Sequence, residues 1–564
     1  MNSDIAILRR LFAIAHRQWG WMLLAALAAC VTVLASFSLM AVAGWFIAAM
    51  AIAGTTTGMM NYFLPAAGIR FFAILRTGGR YLERVLSHEA VFRVLAELRL
   101  WLFHRLEPLS PGQLQDRRGA DLASSLQADV DTLQHAFLRL GAPLVVALGC
   151  GIAMVAVLAL LHPPTALVVA ALLLCAGGAV PAMARRAASA PGAQAVATRA
   201  QLRIAIVDLV QGAADLRAAG AGARHLQAIE ALSQTLVGAQ RTAAVHGAFA
   251  EAALGLAAGL ALWSTALLCV AGVAVGQLAP AMVPALALAA LASFEAIAPL
   301  PAAMQRWGEV MGAARRLFAI ADTQPDMIPP PGPSPQPVDG GLVFSSVRLR
   351  YAPDARPALD GLDLTVADGR RVAILGPSGA GKSSIPRLLL RFWEYEGEIR
   401  LGGHDLRLYQ PQDLRRLVGV VAQEAHLFNG SIRGNLLMAA PEASAADMTA
   451  ALQTAQLAQL VQRLPEGLDT FVGEGGTRLS AGEARRLVIA RTLLRAPRIL
   501  VLDEPTENLD PTTARALMAS LAAARAGRTT LLITHDPAVA FAFAEEIFRL
   551  EAGTITRESA VETG

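Results

Sequence analysis

The sequence has little charge for its length. Only 16% of its 564 residues are Asp, Glu, Lys or Arg, whereas 55% are hydrophobic. Ordinary soluble domains carry about 25% charged residues, so this composition excludes a typical soluble protein and favours a membrane protein. The length also exceeds the roughly 250–300 residues at which a single core stops growing, so we expect two large domains.

Cysteine and lysine are also scarce. The four cysteines show no CxxC or zinc-type spacing and lie in apolar stretches, which indicates packing residues: Cys30, Cys150, Cys175 and Cys269. Of the 48 basic residues, only Lys382 is a lysine. The net charge of +4 agrees with the accumulation of arginine in the cytoplasmic loops of membrane proteins, so we expect no nucleic-acid partner.

Six apolar runs are long enough to cross a bilayer, which takes roughly 17–25 residues. They cover residues 19–54, 59–75, 142–161, 165–183, 248–274 and 281–300. The short connections carry almost no arginine, whereas the long stretches 76–140 and 185–245 carry many. The positive-inside rule therefore predicts cytoplasmic termini and cytoplasmic long stretches, whose helical spacing indicates prolonged transmembrane helices.

A proline-rich segment separates the apolar half from a different pattern. Residues 322–341, DTQPDMIPPPGPSPQPVDGG, cannot form a continuous helix or strand and are predicted to be a linker. After it, short apolar runs such as RVAIL at 371–375 alternate with helical stretches, which predicts an α/β domain. We therefore predict a polytopic α-helical membrane domain over residues 1–321, fused through the linker to an α/β domain over residues 342–564.

A glycine-rich motif follows the run RVAIL. The sequence GPSGAGKSS matches the P-loop pattern G-x-x-x-x-G-K-[ST], and an apolar helical run follows it, as the motif requires. Glycines let backbone N–H groups surround phosphate oxygens, and the next helix directs its positive end at them. The α/β domain is therefore predicted to be a P-loop nucleotide-binding domain. The residues predicted to contact nucleotide are Gly376, Pro377, Ser378, Gly379, Ala380, Gly381, Lys382, Ser383 and Ser384.

Two residues of this loop have specific predicted roles. Lys382 is expected to bridge the β- and γ-phosphates, and Ser383 is expected to hold Mg²⁺. A lysine in a chain that otherwise uses arginine indicates function, because a compact ammonium fits among phosphates where a planar guanidinium does not. Pro386 lies in the following helix and removes a backbone donor, so we expect a kink there.

A second candidate motif is a buried strand that ends in two carboxylates. The run ILVL at 499–502 is followed by Asp503 and Glu504. Asp503 suits the Mg²⁺ shell, and Glu504 suits polarisation of the water that attacks the γ-phosphate. The spacing from the P-loop allows both strands to lie side by side in one sheet, so the two motifs together predict ATP hydrolysis.

These elements resemble the ATP-binding-cassette (ABC) family. The resemblance implies an aromatic residue on adenine, a glutamine that contacts Mg²⁺, a signature that binds the partner's ATP, a dimer-contact loop and a catalytic switch histidine. In chain order the matching residues are Tyr351, Gln423, Leu479, Ser480, Ala481, Gly482, Glu483, Asp510 and His535. Ala481 and Glu483 replace the usual glycine and glutamine, but Ser480 and Gly482 are kept, so we expect phosphate binding to survive with a changed hydrolysis rate.

The same resemblance implies a dimer and a direction of transport. Each ATP in this family is bound between the P-loop of one cassette and the signature of the other, so the chain must pair with itself or a relative. A membrane domain that precedes the cassette is similar to exporters. This implies the ABC exporter type 1 fold, with ATP and Mg²⁺ as cofactors and a cycle of cassette closure and reopening.

The membrane half has a narrower resemblance. NYFLPAAGIRFFAILRTGGRYLERVLSHEAVFRVL at 61–95, AGWF at 43–46, PLSPGQL at 108–114 and FEAIAP at 294–299 resemble the CydC subunits of the CydDC exporters. This implies a heterodimer with a CydD-like half-transporter, surrounded by the lipid of a bacterial inner membrane. The family moves cysteine, glutathione or haem toward the periplasm in support of cytochrome bd assembly, and the sequence leaves the cargo open.

Four residues of the membrane half are candidates for ligand contact. His88 matches the family histidine associated with haem b, and Arg84, one turn earlier, is placed to pair with a propionate. The alternative is a helix-surface histidine at the lipid headgroups. Arg70 and Glu295 lie within predicted spans, where charge is costly, so they either line a substrate path or pair with each other.

Two other functions remain open at this point. A homodimeric lipid or peptide exporter would show full ATPase activity without a second subunit. A haem-sensing subunit would gate its partner rather than carry cargo, and transport would then survive Glu504→Gln. The complete set of motifs from Lys382 to His535 indicates that this cassette hydrolyses ATP.

Overall fold

The structure, a computed structural model, describes residues 2–55, 60–115, 119–352, 354–423 and 426–558. Internal contacts divide them into two units. The first contains residues up to 108 and residues 119–323, and the second contains residues 109–115 and 324–558. The predicted domain limits stay predictions, because residues 109–115 group with the second unit although they lie inside the predicted membrane domain.

The first unit is helical throughout its described residues. Short 3₁₀ turns lie at His16–Gln18 and Phe294–Ala296, and a π-helical turn lies at Ala136–Gly141. Its helices are α1 (Asn2–Ile14), α2 (Trp19–Thr55), α3 (Phe63–Leu106), α5 (Gly119–His135), α6 (Ala142–Leu161), α7 (Pro163–Gln211), α8 (Ala213–Ala218), α9 (Gly222–Ala274), α10 (Met282–Ser293), α11 (Leu300–Gln305) and α12 (Trp307–Ala321), while α4 (Pro111–Gln115) belongs to the second unit.

Five stretches of the described helices are long and apolar enough to cross a membrane. They are His16–Thr55, Leu126–Leu161, Pro163–Gln211, Gly222–Ala274 and Met282–Gln305. Four of the six predicted spans lie within these stretches, a fifth, 281–300, begins one residue before its stretch, and α6 has the predicted bounds.

The predicted span over residues 59–75 is the exception. It begins at Met59, which lies outside the described residues, and its remainder lies in α3, which is not among the five stretches. Helix α3 carries Arg70, Arg76 and Arg80 within three turns, so its composition is more polar than that of the other spans. In the described part of the chain, length and composition therefore identify five candidate spans rather than six.

The membrane helices pack through small and apolar residues. Helix α2 packs against α3 and α10, and α7 packs against α9. Cys150 and Cys269 are buried in this core, as expected for packing residues, whereas Cys175 is exposed. The sixth predicted span is not one regular helix, because a 3₁₀ turn separates α10 from α11. Glu295 lies in that turn.

The described strands of the second unit form two sheets. One is antiparallel with the order β2-β1-β4-β5, and the other has the order β10-β9-β3-β8-β7-β6, in which only β10 is antiparallel to its neighbour. The strands are β1 (Leu342–Leu349), β2 (Leu359–Val366), β3 (Arg371–Leu375), β4 (Glu396–Leu401), β5 (His404–Asp405), β6 (Val418–Val421), β7 (Ile499–Asp503), β8 (Thr530–Thr534), β9 (Glu546–Glu551) and β10 (Thr554–Arg557).

Helices cover the larger sheet and complete an α/β unit. The buried strands β3, β7 and β8 alternate along the chain with helices, as the sequence pattern predicts, and all their residues except Arg371 are buried. The helices are α13 (Ser384–Leu389), α14 (Pro411–Leu417), α15 (Ile432–Leu437), α16 (Ala445–Thr454), α17 (Ala458–Arg463), α18 (Ala481–Leu494), α19 (Pro511–Ala524) and α20 (Pro537–Phe543).

The order of the parallel strands brings the predicted ATP-site residues to one edge. Carboxyl ends of parallel strands meet at the same edge of a sheet, and ligands of such sheets bind there. The P-loop follows β3, Asp503 ends β7, and His535 follows β8. Gln423 lies two residues after β6. Motifs that are far apart in sequence are therefore neighbours in the fold.

Candidate functional site

Residues 376–383 form the loop between β3 and α13. At two positions of this loop, close contacts with the backbone of other segments allow only glycine. A Cβ on Gly376 would lie 2.3 Å from the carbonyl oxygen of Leu550. Gly381 has φ +101°, and a Cβ there would lie 2.1 Å from the carbonyl oxygen of Ala358. Only glycine fits either position, because side chains would collide with backbone that cannot move aside.

The ammonium of Lys382 lies inside this loop. Its Nζ donates to the carbonyl oxygens of Gly376 at 2.5 Å and Pro377 at 3.1 Å, and the residue is 8% exposed. The positive charge is thus held within the turn that the sequence predicts to surround phosphate. Its contact with nucleotide stays a prediction.

The expectation of a kink at Pro386 is wrong. Helix α13 begins at Ser384 and ends at Leu389, so Pro386 is its third residue. N–H groups of the first helical turn have no partner within the helix, so a proline there breaks no hydrogen bond. The proline is compatible with a short helix that starts directly after the loop.

Asp503 has the features of a cation ligand. It is 2% exposed, and its Oδ1 has no hydrogen-bond partner among the described residues. Burial raises the pKa of Asp503, with nearby Glu504 acting in the same direction, while a hydrogen bond from Ser383 and the charges of Lys382 and Arg485 oppose the shift. Oxygen ligands of this kind fit Mg²⁺, which Asp503 and Ser383 would hold together with ATP phosphates.

Glu504 lies beside His535, the predicted switch histidine. Nδ1 of His535 lies 2.8 Å from Oε1 of Glu504, and the hydroxyl of Thr534 donates to Oε2 at 3.3 Å. Glu504 is buried and has φ +50°, a left-handed conformation that is unfavourable for a side chain with a Cβ. The structure thus brings the two predicted catalytic residues together.

The predicted signature forms the start of α18. Ser480 is the N-cap: its Oγ accepts from the backbone N–H of Glu483 at 3.3 Å, and Oε2 of Glu483 accepts from the N–H of Ser480 at 2.8 Å. This reciprocal capping box gives Glu483 a local role. Ala481 is exposed and Leu479 is half-buried, whereas a Cβ on Gly482 would lie 2.8 Å from the carbonyl oxygen of Asn508.

Asp510 caps a second helix. Its Oδ1 accepts from the N–H groups of Thr512 at 3.1 Å and Thr513 at 3.0 Å at the start of α19. These hydrogen bonds, together with those from the threonine side chains, lower the pKa of Asp510. The dimer-contact role of Asp510 stays a prediction beside this local one.

Tyr351 lies next to the P-loop helix. Its hydroxyl is 2.8 Å from Oγ of Ser384 and accepts from Arg387 at 3.2 Å. The Arg387 guanidinium lies 5.6 Å from the centre of the Tyr351 ring, and Trp393 packs edge-on against that ring at 4.8 Å. Stacking on adenine stays a prediction for this ring.

Sequence reasoning missed Arg485. This residue of α18 is buried and donates hydrogen bonds to the backbone carbonyls of Gln423, Asp503 and Glu504. A sequence signal existed, because Arg485 precedes the apolar Val488 and Ile489 by three and four residues. It therefore lies on the inward face of the helix.

The structure brings together His88 and Arg84 of the membrane unit but does not pair Arg70 with Glu295. Nδ1 of His88 lies 2.9 Å from the carbonyl oxygen of Arg84, and both side chains are exposed. Glu295 pairs with Arg80 at 3.4 Å, not with Arg70. The alternative of an Arg70–Glu295 pair is therefore wrong, and Arg80 is a residue that the sequence analysis did not single out.

Comparisons with known proteins agree with this fold. The family model described as ABC transporter matches residues 359–507. The glutathione/L-cysteine transport system ATP-binding/permease protein CydC of Escherichia coli (strain K12) is 36% identical, over 92% of this chain and 91% of that protein. The protein of the same system named CydD, from Bacillus subtilis (strain 168), is 30% identical over 94% of this chain and 92% of its own length.

A solved structure extends the agreement to three dimensions. A bacterial Atm1-family ABC exporter with ATP bound matches with a TM-score of 0.80 and 25% identity, over 98% of this chain and 95% of that one. Fold and site together define an ABC exporter subunit, in which an ATPase is coupled to transport across a membrane. Within that class the chain belongs to the CydC family. The fold class and the family predicted from the sequence are confirmed.

Proposed function

We propose that this chain is one half of a heterodimeric exporter in a bacterial inner membrane. Its partner is a CydD-like half-transporter, and its cargo is a thiol reductant, cysteine or glutathione, moved toward the periplasm in support of cytochrome bd assembly. The names of the E. coli and B. subtilis relatives support the cargo class and the pairing. The cassette and both termini lie in the cytoplasm, as the arginine distribution indicates.

The observation that carries the proposal is a basic cavity in the membrane unit. It has a volume of about 370 Å³ and is lined by α3, with Leu39 of α2 at its side. That volume is in the range of small-molecule sites, which runs from about 300 to 1,000 Å³. The lining residues are Leu39, Ala73, Arg76, Thr77, Arg80, Tyr81 and Arg84.

The charges of this cavity complement glutathione. Arg76, Arg80 and Arg84 follow one another at intervals of four residues, so their guanidinium groups share one face of α3. Like charges at this spacing repel, and an anionic ligand between them would relieve the repulsion. Glutathione offers two carboxylates for bidentate contacts with arginine and one ammonium, for which Glu295 beside Arg80 provides a partner.

ATP would drive transport through two composite sites. The P-loop, Tyr351 and Gln423 would bind the chain's own ATP and Mg²⁺, with Glu504 and His535 acting on the attacking water. The segment 479–483 would reach the partner's ATP, and Asp510 would contact the partner cassette. Closure of the two cassettes would then pass to the membrane helices.

Haem is a second candidate, which the position of His88 favours. The hydrogen bond of Nδ1 to the Arg84 carbonyl fixes the ring orientation, and Nε2 of His88 would be the atom that binds haem iron. The arginines of the cavity would suit the propionates equally well. Haem would then be either the cargo or a modulator that gates the partner.

Uptake into inside-out vesicles tests the proposed cargo. Vesicles that contain the heterodimer should accumulate labelled glutathione or cysteine when ATP is added. We expect Arg80→Gln to lower uptake at least about tenfold, the effect of losing one charged contact. Arg93→Gln is the matched control, because Arg93 is an exposed arginine of α3 outside the cavity, and it should leave uptake within about twofold. Unchanged uptake in Arg80→Gln would refute the cavity as the cargo site.

Separate titrations distinguish the alternatives. ATPase activity that haem stimulates, and that His88→Ala makes unresponsive, would favour haem handling through His88. Thiol stimulation that is indifferent to His88→Ala would favour thiol cargo. A subunit that only senses haem would bind it while Glu504→Gln leaves transport by the complex intact, and a homodimeric lipid or peptide exporter would be fully active without its partner.

A further inference from the structure

A buried arginine lies between the segments that carry the ATP-site residues. Arg485, one turn into α18, is 4% exposed. Burial of a guanidinium is unfavourable unless its N–H groups find acceptors, because the charge loses its water. The groups that accept hydrogen bonds from Arg485 therefore indicate the role of its charge.

All four acceptors belong to the ATP site or to the turn beside it. Nη1 donates to the backbone carbonyls of Asp503, at 3.3 Å, and of Glu504. Nη2 donates to the backbone carbonyl of Gln423 and to Oε2 of Glu507, at 3.1 Å. One side chain thus joins the end of β7, the segment after β6 and the turn before α19.

The contact with Glu504 bears on catalysis. A residue with a Cβ at φ +50° needs surrounding contacts to keep that conformation, which is unfavourable for any side chain other than that of glycine. Arg485 binds the carbonyl of Glu504, so it fixes the peptide group from which the Glu504 side chain extends to His535. Its hydrogen bond to Gln423 likewise fixes the backbone of the residue predicted to contact Mg²⁺.

We propose that Arg485 is a positioning residue for ATP hydrolysis: it holds Glu504 and Gln423 in register with each other and with the signature helix. Arg485 does not touch nucleotide and acts through these two residues.

The position of Arg485 in α18 has a further consequence, which rests on the proposed pairing of two cassettes. Ser480 at the start of α18 would bind the partner's ATP, and Arg485 lies five residues further along, about 7.5 Å by helical rise. Binding of ATP at the partner's site would thus affect the position of Glu504.

Replacement of Arg485 in the heterodimer tests the positioning role. In Arg485→Gln, we expect kcat for ATP hydrolysis to fall about tenfold to a hundredfold, because small displacements of catalytic groups have effects of that size. Binding of a fluorescent ATP analogue should stay within about twofold, because Arg485 contacts no residue of the P-loop. Arg485→Lys keeps the charge and part of the donor set, so its kcat should lie between those of Arg485→Gln and the original chain. The Glu504→Gln complex gives the rate that remains when this chain's catalytic carboxylate is lost.

Arg525 provides the matched control. It is as buried as Arg485, and it also donates to three backbone carbonyls, those of Pro497, Arg498 and Thr529. Those carbonyls lie near the amino ends of β7 and β8, away from Glu504 and Gln423. Arg525→Gln should lower Tm of the complex while the folded fraction keeps its kcat.

Two patterns of results would overturn the proposal. One is a loss of Tm in Arg485→Gln like that of Arg525→Gln, with kcat and ATP affinity falling only in proportion to the folded fraction, which would make Arg485 purely structural. The other is an unchanged kcat in both Arg485 variants. The assay contains no cargo, so an incorrect cargo assignment, which would appear only in the vesicle experiment, would not affect it.

Discussion

Nδ1 of His535 lies 2.8 Å from Oε1 of Glu504, at the edge where β7 and β8 end side by side. The two residues are 31 positions apart in sequence, and the parallel pairing of these strands brings them together. Thr534 binds the second oxygen of the same carboxylate. The carboxylate is therefore fixed from two sides, which is the arrangement expected for a group that must orient one water molecule.

Loss of this histidine should slow hydrolysis without weakening ATP binding. In His535→Ala the Glu504 carboxylate keeps only its contact with Thr534, so we expect kcat to fall about a hundredfold, a usual effect of losing a group that assists proton transfer. Steady-state ATPase assays and binding of a fluorescent ATP analogue measure the two quantities. His404→Ala, at a half-buried histidine of β5, is the control and should change neither. Weaker ATP binding in proportion to the loss of kcat would contradict the assignment.

Replacement of the only lysine should abolish the response to nucleotide. Lys382 lies inside the loop from Gly376 to Ser383, so Lys382→Ala removes the positive charge at the predicted phosphate position. We also expect Lys382→Arg to fail, because a planar guanidinium does not fit a turn shaped around an ammonium. ATP-driven closure of the cassettes, followed by cross-linking or by distance measurements between labels, is the readout. Undiminished ATP hydrolysis by either variant would refute the P-loop assignment.

The raised pKa of Asp503 predicts a pH dependence of Mg²⁺ binding. The neutral carboxyl is favoured by burial, and Mg²⁺ binds only the carboxylate, so protons and metal compete. Apparent Mg²⁺ affinity should therefore fall as the pH decreases through the Asp503 pKa, by about tenfold per pH unit below it. The same shift makes the metal-free cassette more stable below this pKa than above it, since the folded state then binds the proton more tightly than the unfolded chain.

Titrations of Mg²⁺-dependent nucleotide binding from acidic to neutral pH would test this competition. ATP itself also titrates in this range, so Asp503→Asn is the control. Asp503→Asn should bind Mg²⁺ weakly at every pH, and its Mg²⁺ affinity should change with pH only because ATP titrates. If the original chain and Asp503→Asn lose Mg²⁺ affinity in parallel as the pH decreases, Asp503 is not the titrating group.

Much of the fold and the ATP site could be predicted because local patterns specify them. The glycines of the P-loop are required by backbone conformation, and the buried strand before Asp503 has a plain apolar pattern. Arg485 was missed because its role depends on the backbone carbonyls that accept its hydrogen bonds, and these carbonyls belong to segments that are distant in sequence. Glu295 was assigned an incorrect alternative partner for the same reason, since its pair, Arg80, lies on a helix that is distant in sequence.

The capping box at the signature predicts a stability effect that is separate from catalysis. Glu483→Ala removes the acceptor of the Ser480 N–H, so we expect the free energy of unfolding to fall by about 1 kcal/mol. Glu483→Gln keeps an acceptor at the same place and should lose less. Thermal or urea unfolding of the complex measures the difference between the two variants. Equal stability of Glu483→Ala and Glu483→Gln would show that the box contributes nothing in the assembled protein.

The Arg80–Glu295 pair predicts a way to separate the candidate cargoes. Both side chains are partly exposed and 3.4 Å apart, so their attraction should contribute less than about 1 kcal/mol to stability. Glu295→Gln should therefore leave Tm unchanged. Glutathione and cysteine carry an ammonium that a carboxylate would bind, whereas haem carries none, so only the thiols should lose affinity.

The measurement is the concentration of glutathione, cysteine or haem that half-maximally stimulates ATPase activity. We expect Glu295→Gln to raise this concentration about tenfold for both thiols, the effect of one charge-assisted hydrogen bond, and to leave the value for haem unchanged. Glu89→Gln is the control, because Glu89 pairs with Arg93, which does not line the cavity, whereas Glu295 pairs with Arg80, which does. Equal shifts for thiols and haem would mean that Glu295 acts by shaping the cavity. No shift for any ligand would place the cargo away from Arg80, because a carboxylate next to that guanidinium cannot be neutral in its effect on a bound zwitterion.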